Sequence, residues 1–420
     1  SQLSLGRSPR LFLLHGPNGS AKSTFYRTLM RGLEAYSDMP EGALYRFNWI
    51  FPSGLVENKG IGFGAAKGSE RTLELESYAK LNGSQIDALL PDEFRDHPIL
   101  LIPADVRRDV ITQWAAEDET QAFRLPAWLE CANLHPRNRK ICDALLLSSN
   151  GLMDVYKYIQ IERYSLSRRY LRGLVTVEPK MAADASIRQI TSDRSLASLP
   201  PALQNIELYK YGGDLVDANA GLIEFADLFK RPLEGFKYLI NTLEEGYLNM
   251  EVAILQFNLC FTRAVNDRHL MAFSETSEFA SFEGRTEFVS MPYLLSYTLA
   301  QEIQYRALLN DHFVKKVAPH LLETVGLWAV MTRLVKPVVD DPEVMEILGE
   351  LTVYDKARLY ENGVLPRKFP SKLERKVRAV LPELAYQKLS NVVYEGGIGA
   401  SPRLVQSLLL RAATRHEASW

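Results

Sequence analysis

Lys22 and Ser23 are the residues best placed by type and spacing to do chemistry. They follow the loop His15-Gly16-Pro17-Asn18-Gly19-Ser20-Ala21 and precede Thr24. A glycine-bearing loop of this length lets successive backbone amides turn inward and cradle phosphate oxygens. The Lys22 ammonium would neutralise the β- and γ-phosphates of a nucleotide, and the Ser23 hydroxyl would ligate Mg²⁺. The phosphate-binding set read this way is Gly16, Pro17, Asn18, Gly19, Ser20, Ala21, Lys22, Ser23 and Thr24. One position departs from the usual pattern. Glycine normally stands directly before the lysine, and here Ala21 does. A Cβ there is tolerable if the local φ is negative.

Such a loop works only if a strand delivers it and a helix receives it. Leu11-Phe12-Leu13-Leu14 is an unbroken apolar run of strand length, as suits the buried centre of a parallel sheet. Phe25 to Tyr36 reads as a helix with Phe25, Leu29 and Leu33 on one face. Its positive N-terminal end would add to the attraction for phosphate. The other reading, a chance Gly/Ser turn, leaves the strand, lysine, hydroxyl and helix together without a cause. A second strand is predicted from Gly42 to Phe51, where Tyr45, Phe47 and Trp49 alternate with Leu44, Arg46 and Asn48. Pro52 ends it.

The run Leu13 to Phe51, LLHGPNGSAKSTFYRTLMRGLEAYSDMPEGALYRFNWIF, resembles the AAA+ module of bacterial PrkA-type serine protein kinases. The stretch YKYGGDLVDANAGLIEFADLFKRPLEGFKYLINTLEEGYL resembles the segment carrying that family's second nucleotide motif. The resemblance extends to Ile99–Pro103, Ile161–Asp193 and Phe279–Tyr293. It implies an α/β P-loop AAA+ core with a central parallel sheet, a large mainly helical insertion and a C-terminal all-α lid. The implied parts are residues 1–52 and 173–292 for the core, 53–172 for the insertion and 293–420 for the lid.

The resemblance also implies roles. Gly221 to Asp227 looks like a Walker B strand, which must carry a carboxylate to the metal side of the phosphates. Asp227 falls at the water-activating position, and either Glu224 or Asp227 faces the metal beside Ser23. The other reading is a surface strand with two solvated acids. Asn266, in FTRAVNDRHL, matches sensor 1 and would hold the attacking water, although an Asn-Asp pair alone reads as a turn. Arg285, in FASFEGRTEFVSMPY, matches the arginine finger that reaches a neighbouring subunit's γ-phosphate. The family usually has Asp before it, and this chain has Gly284. Arg403, in GGIGASPRLVQSLLLRAA, matches sensor 2. Ser401-Pro402 starts its helix, with Leu404, Leu408 and Ala412 as the apolar face. Either arginine could also be merely solvated. The implied catalytic set is Lys22, Asp227, Asn266, Arg285 and Arg403.

The rest of the chain sets bounds. Its 420 residues suggest two or three domains. With 49 Lys and Arg against 51 Asp and Glu, the net charge of −2 argues against a protein built to neutralise nucleic acid. The three cysteines, Cys131, Cys142 and Cys260, suit a reducing compartment, and Cys131, His135 and Cys142 lack the close ligand pair of a structural zinc site. No apolar run approaches the ~20 residues that span a bilayer. Ser1-Gln2-Leu3-Ser4 is not a signal peptide, and the chain reads as a piece of a longer one placed in the cytoplasm. Helices are expected at Leu89–Asp96, Val106–Ala116 and Ile141–Leu147. Gly60 to Glu70 is a glycine loop without the motifs of a eukaryotic-type kinase around it. Arg137-Asn138-Arg139-Lys140 and Arg163 to Arg172 read as solvated helix faces, and Thr191 to Leu203 as a connector. From Tyr293 on, Leu295, Leu299 and Ile303, then Leu321, Val325, Trp328, Met331 and Val335, predict a helical bundle with Trp328 and Met331 in its core.

The expectation is therefore an ATP- and Mg²⁺-dependent ATPase module in a homo-oligomeric ring or filament, since Arg285 acts only in a neighbour's site. Its lid would rotate as ATP becomes ADP. A serine kinase acting on a protein partner, and a nucleotide-gated scaffold with little turnover, are the alternatives. Neither a membrane nor a nucleic acid is expected as a partner.

Overall fold

Leu11-Phe12-Leu13-Leu14 becomes β1 (Leu11–Gly16), buried along nearly its whole length. The computed structural model describes residues 11–53, 77–117, 132–178, 185–189, 199–204, 206–226, 229, 242–243, 246–250, 252–310, 318–336, 341–366, 368–369, 371–385 and 394–414. After β1 come β2 (Leu44–Pro52), β3 (Ile86–Pro91), β4 (Ile159–Tyr164), β5 (Leu174–Val177), β6 (Ser186–Gln189), β7 (Tyr209–Gly212) and β8 (Gly221–Ala226). Then follow β9 (Tyr247–Asn249), β10 (Ile254–Gln256), β11 (Leu259–Asn266) and β12 (Thr286–Ser290). The central sheet runs β12-β1-β11-β8-β5. Its β5 and β8 are parallel, with Leu174 opposite Leu222 and Val177 opposite Phe225. A strand covered on both faces reads as a continuous apolar run, which is what Leu222-Ile223-Glu224-Phe225 shows around one acid. This is the α/β class with a central parallel sheet that the sequence predicts.

The chain divides into two compact units. Described residues within Arg27–Ala226 and Arg231–Thr262, with Leu11, form the first. Those within Phe12–Tyr26 and from Arg263 onward, with Phe229, form the second.

In the first unit, β2 does not extend the central sheet. It forms the middle of an antiparallel β3-β2-β4 sheet, with Trp49 opposite both Leu90 and Ile159. Phe47, Trp49 and Phe51 are buried there against Ile141, Leu145 and Leu203. The helix expected at Leu89–Asp96 is instead the end of β3 followed by a bend without helix, because exposure alternates along Ile86–Pro91 as in a strand. Helices α2 (Ala104–Glu117) and α3 (Pro136–Ser148) contain the two other expected segments, α3 starting earlier because Pro136 suits a first turn.

Arg137 and Asn138, expected on a solvated face, are buried instead. Their polar groups are needed inside: Arg137 bonds Glu93 and the Pro91 carbonyl, and Asn138 bonds Asp96 and Trp49. The second basic run is likewise not a helix but the end of β4 and the turn after it. Asp96 also holds Nδ1 of His135, while His135 Nε2 lies 2.7 Å from the Gln256 carbonyl. Phe94 stacks on the imidazole with ring centroids 3.8 Å apart. Burial lowers the affinity of His135 for a proton, but Asp96 and Asp92 outweigh it and leave the pKa raised. Burial and the nearby Asp96 push Asp92 up to about 6. The glycine loop Gly60–Glu70 lies outside the described residues, as does most of the Thr191–Leu203 connector.

The second unit begins with the loop after β1, continues through α4 (Asp267–Ser274) and α5 (Phe279–Glu283), and ends in helices. These are α6 (Tyr297–Asn310), α7 (Leu321–Met331), α8 (Pro342–Glu350), α9 (Val353–Asn362), α10 (Ser371–Ala385) and α11 (Pro402–Thr414). The helical end is as expected, but the buried faces are rotated by about one residue. Leu299, Ile303, Trp328, Leu404 and Leu408 are exposed, while Ala300, Leu308, Leu322, Ala329, Val330, Val405 and Leu409 are buried. The reason is close approach through small residues. A Cβ added at Gly326 would lie 2.7 Å from the Tyr297 carbonyl oxygen, so α6 and α7 meet at Gly326 and Ala329, and the larger side chains turn outward. Trp328 is thus not a core residue. Among the described residues, no helix is long and apolar enough to cross a membrane.

Candidate functional site

β1 ends at Gly16 and α1 (Lys22–Asp38) begins six residues later, so strand, loop and helix follow as predicted. The helix face differs. Phe25 and Leu29 are exposed, whereas Tyr26, Met30 and Ser37 are buried. Tyr26 takes the inward place because its hydroxyl reaches the backbone of two strands: it lies 3.0 Å from the Phe12 carbonyl and 2.9 Å from that of Arg263. The Arg263 amide donates back to it at 3.1 Å. One hydroxyl therefore ties the helix start to β1 and β11.

The loop closes around the lysine. Lys22 Nζ donates to the carbonyls of Gly16 at 2.9 Å and Pro17 at 2.8 Å. Gly16 admits no side chain, since a Cβ would stand 2.2 Å from the Met291 carbonyl oxygen. Gly19 has φ +87° and sits beside Arg403, whose Cδ lies 3.9 Å from where a Cβ on Gly19 would be. Ala21 has φ +68°, the left-handed region that glycine enters freely and alanine enters at a cost. The condition of negative φ set by the sequence reading is not met, and the chain adopts the glycine conformation without glycine. Ser23 and Thr24 are exposed in the first turn of α1.

Residues that the sequence reading missed brace this loop. His15 Nδ1 lies 2.9 Å from Asp267 Oδ1, and the Tyr394 hydroxyl donates to Asp267 Oδ2 at 2.7 Å. The Tyr293 hydroxyl donates to the Asn18 carbonyl at 2.5 Å. Burial raises the pKa of both tyrosines, and for Tyr394 the bonded Asp267 carboxylate adds to it, so each remains a neutral donor. The available signals were weak: a histidine just before the loop, an acid just after Asn266, and an aromatic before the run Glu395-Gly396-Gly397.

The other expected site residues fall as follows. Asn266 ends β11 and caps α4, its Oδ1 accepting from the Arg268 amide at 3.2 Å. It thus stands at a strand end and a helix start rather than in a turn. Arg285 is half-buried and donates to the carbonyl of Ser281 at 2.5 Å and its hydroxyl at 2.7 Å. Arg403 stands exposed in the first turn of α11, beside Gly19.

Glu224, in the first unit, is buried on β8 and accepts from Thr176 Oγ1 at 3.1 Å. Burial raises its pKa. Asp227 lies outside the described residues. An exposed serine hydroxyl and a carboxylate are both hard oxygen donors, the chemistry Mg²⁺ takes.

Residues 141–341 match the family model described as the PrkA AAA domain. Over that stretch, a little under half of its length, the chain is similar to that domain. The match takes in Glu224, Asp227, Asn266 and Arg285, and begins downstream of the Gly16–Thr24 loop. Serine/threonine kinase YeaG of Escherichia coli (strain K12) is 30% identical over 189 residues, 44% of this chain and 28% of the relative. ATP-dependent protease PrkA of Bacillus subtilis (strain 168) is 20% identical over 351 residues, 82% of this chain and 46% of the relative. The chain thus spans less than half the length of each. Among solved structures, NtrX from Brucella abortus in complex with ATP aligns at a TM-score of 0.24 with 12% identity, covering 51% of this chain and 48% of that one. A score so low supports no conclusion about the site. Over residues 141–341 the chain is similar to the AAA domain of PrkA-type proteins.

Proposed function

We propose that the chain is a Mg-ATP-dependent ATPase module that works in a homo-oligomer. One observation carries the reading. The Lys22 ammonium is drawn into a loop between a buried strand and a 17-residue helix, held by the carbonyls of Gly16 and Pro17 with Arg403 alongside Gly19. The loop amides and the positive end of α1 would hold the triphosphate, and Lys22 would exchange its two carbonyls for phosphate oxygens. Ser23 and a carboxylate of the β8 region, Glu224 or Asp227, would hold Mg²⁺, whose charge would offset that building on the phosphates. Asn266 would orient water, Arg403 would meet the γ-phosphate, and Arg285 would leave Ser281 to serve an adjacent subunit.

The test is steady-state phosphate release by the wild type, Lys22→Ala and Asp227→Asn, with Mg-ATP binding measured alongside. Both variants should lose turnover by at least about 100-fold, as removal of a charge-stabilising group does. Equal turnover in all three would reject the reading.

A second reading has one observation in its favour: the 30% identical relative bears the name serine/threonine kinase. γ-Labelled ATP separates the two. Label on a protein serine supports phosphotransfer, and label found only as free phosphate supports hydrolysis.

A further inference from the structure

Tyr394 and Glu395 are consecutive, nearly fully buried residues whose side chains are held by different parts of the second unit. The Tyr394 hydroxyl donates to Asp267, whose other oxygen faces His15, the residue before Gly16. The Glu395 carboxylate is bound by Lys356 and by the Tyr360 hydroxyl, both on α9. Lys356 also donates to the Val335 carbonyl at 2.7 Å. The next residue, Gly396, pairs its carbonyl with the Tyr293 amide at 2.8 Å and its amide with the Arg333 carbonyl at 3.0 Å. Gly396 has φ +78°, and a Cβ there would lie 2.7 Å from the Tyr293 carbonyl oxygen, so only glycine lets the segment lie this close. Tyr293 in turn bonds Asn18, inside the phosphate loop. Arg333 Nε donates to the Ala400 carbonyl at 2.9 Å and so fixes the far end of the same segment, next to Ser401 and Arg403.

We propose that Tyr394–Ala400 is a strap that couples the state of the Gly16–Ala21 loop to α9, with Asp267 and Tyr293 as positioning residues at the loop end and Glu395 at the helix end. This deepens the nucleotide reading above and rests on it. When Lys22 releases the Gly16 and Pro17 carbonyls, the loop carbonyls reorient, and Asn18 carries Tyr293 with it. The shift passes to α9 instead of dying out, because the strap's polar groups are buried. A Tyr394 hydroxyl or Glu395 carboxylate that lost its partner would find no water to replace it, so the bonds move together.

The experiment measures Mg-ATP affinity by titration calorimetry and amide hydrogen exchange across Val353–Asn362, with and without saturating Mg-ATP. It uses the full chain as wild type, Tyr293→Phe, Tyr394→Phe and Tyr360→Phe. In the wild type, Mg-ATP should slow exchange in α9. Tyr293→Phe should weaken binding by about 3- to 10-fold, the range for loss of one hydrogen bond. Tyr394→Phe and Tyr360→Phe, which cut the strap's bonds to Asp267 and to α9 respectively, should each abolish most of the α9 response at saturating nucleotide. A merely structural role would instead raise exchange in the nucleotide-free state and leave the response to ATP intact. Full-sized response in both strap variants, or no response in a wild type that binds ATP, overturns the strap alone. A wild type that binds no Mg-ATP overturns the nucleotide reading and the strap with it.

Discussion

Ala21→Gly should make this protein more stable, although it deletes a methyl group from a structured loop. Ala21 has φ +68°, where an L-residue is disfavoured by about 1–2 kcal/mol because its Cβ crowds the backbone. Glycine relieves that, and its greater freedom in the unfolded chain takes back about 0.5–1 kcal/mol. Ala21 is exposed, so removing its methyl costs little buried apolar surface. The net gain is about 0.7 kcal/mol, bounded by zero and about 1.5. The chain has two units, so a single global transition is not assumed. Native-state amide exchange of α1 reads the change locally, as roughly a threefold greater protection of the helix that starts at Lys22. Ala21→Val should move the other way by more than about 1 kcal/mol, since a branched Cβ tolerates positive φ worse than alanine does. If glycine lowers protection while valine is neutral, Ala21 does not adopt the left-handed conformation and the reasoning fails.

Two further outcomes are expected from the geometry. Gly16→Ala should destabilise the second unit by about 1–3 kcal/mol, because its Cβ would meet the Met291 carbonyl oxygen at 2.2 Å; an unchanged urea midpoint would show that the loop can move aside. The first unit should lose stability as the pH rises above 6.5. The pKa of His135 is raised when folded, so its contribution is full below the unfolded value of about 6.5 and disappears as the pH climbs through the folded one. Asp96, lowered despite burial by His135 and Asn138, works oppositely and loses its contribution only in acid. Thermal unfolding between pH 6 and 9 should slope downward for the wild type and lie flatter for His135→Gln.

The order of strand, loop and helix was legible because continuous apolar runs and the Gly-to-Lys spacing are local signals. So was the helical end, since residues three and four apart repeat there. The phase of those repeats was not. Leu404 and Leu408, or Phe25 and Leu29, fit a helix period as well as Val405 and Leu409, or Tyr26 and Met30. Which set turns inward depends on small residues on a neighbouring helix and on where a tyrosine finds backbone to bond, and neither is written in one segment. The placement of β2 escaped for a similar reason, as its partners β3 and β4 lie far along the chain. At the site, Lys22 and the glycines announced themselves by type. Asp267, Tyr293 and Tyr394 act only through contacts made across more than a hundred residues.

Position 26 leaves little latitude for drift. Phenylalanine would fill the same volume yet withdraw the group that serves the Phe12 and Arg263 carbonyls and the Arg263 amide. Histidine is too short to span that gap, and tryptophan can only donate. A lineage carrying this loop architecture would therefore find tyrosine hard to exchange here.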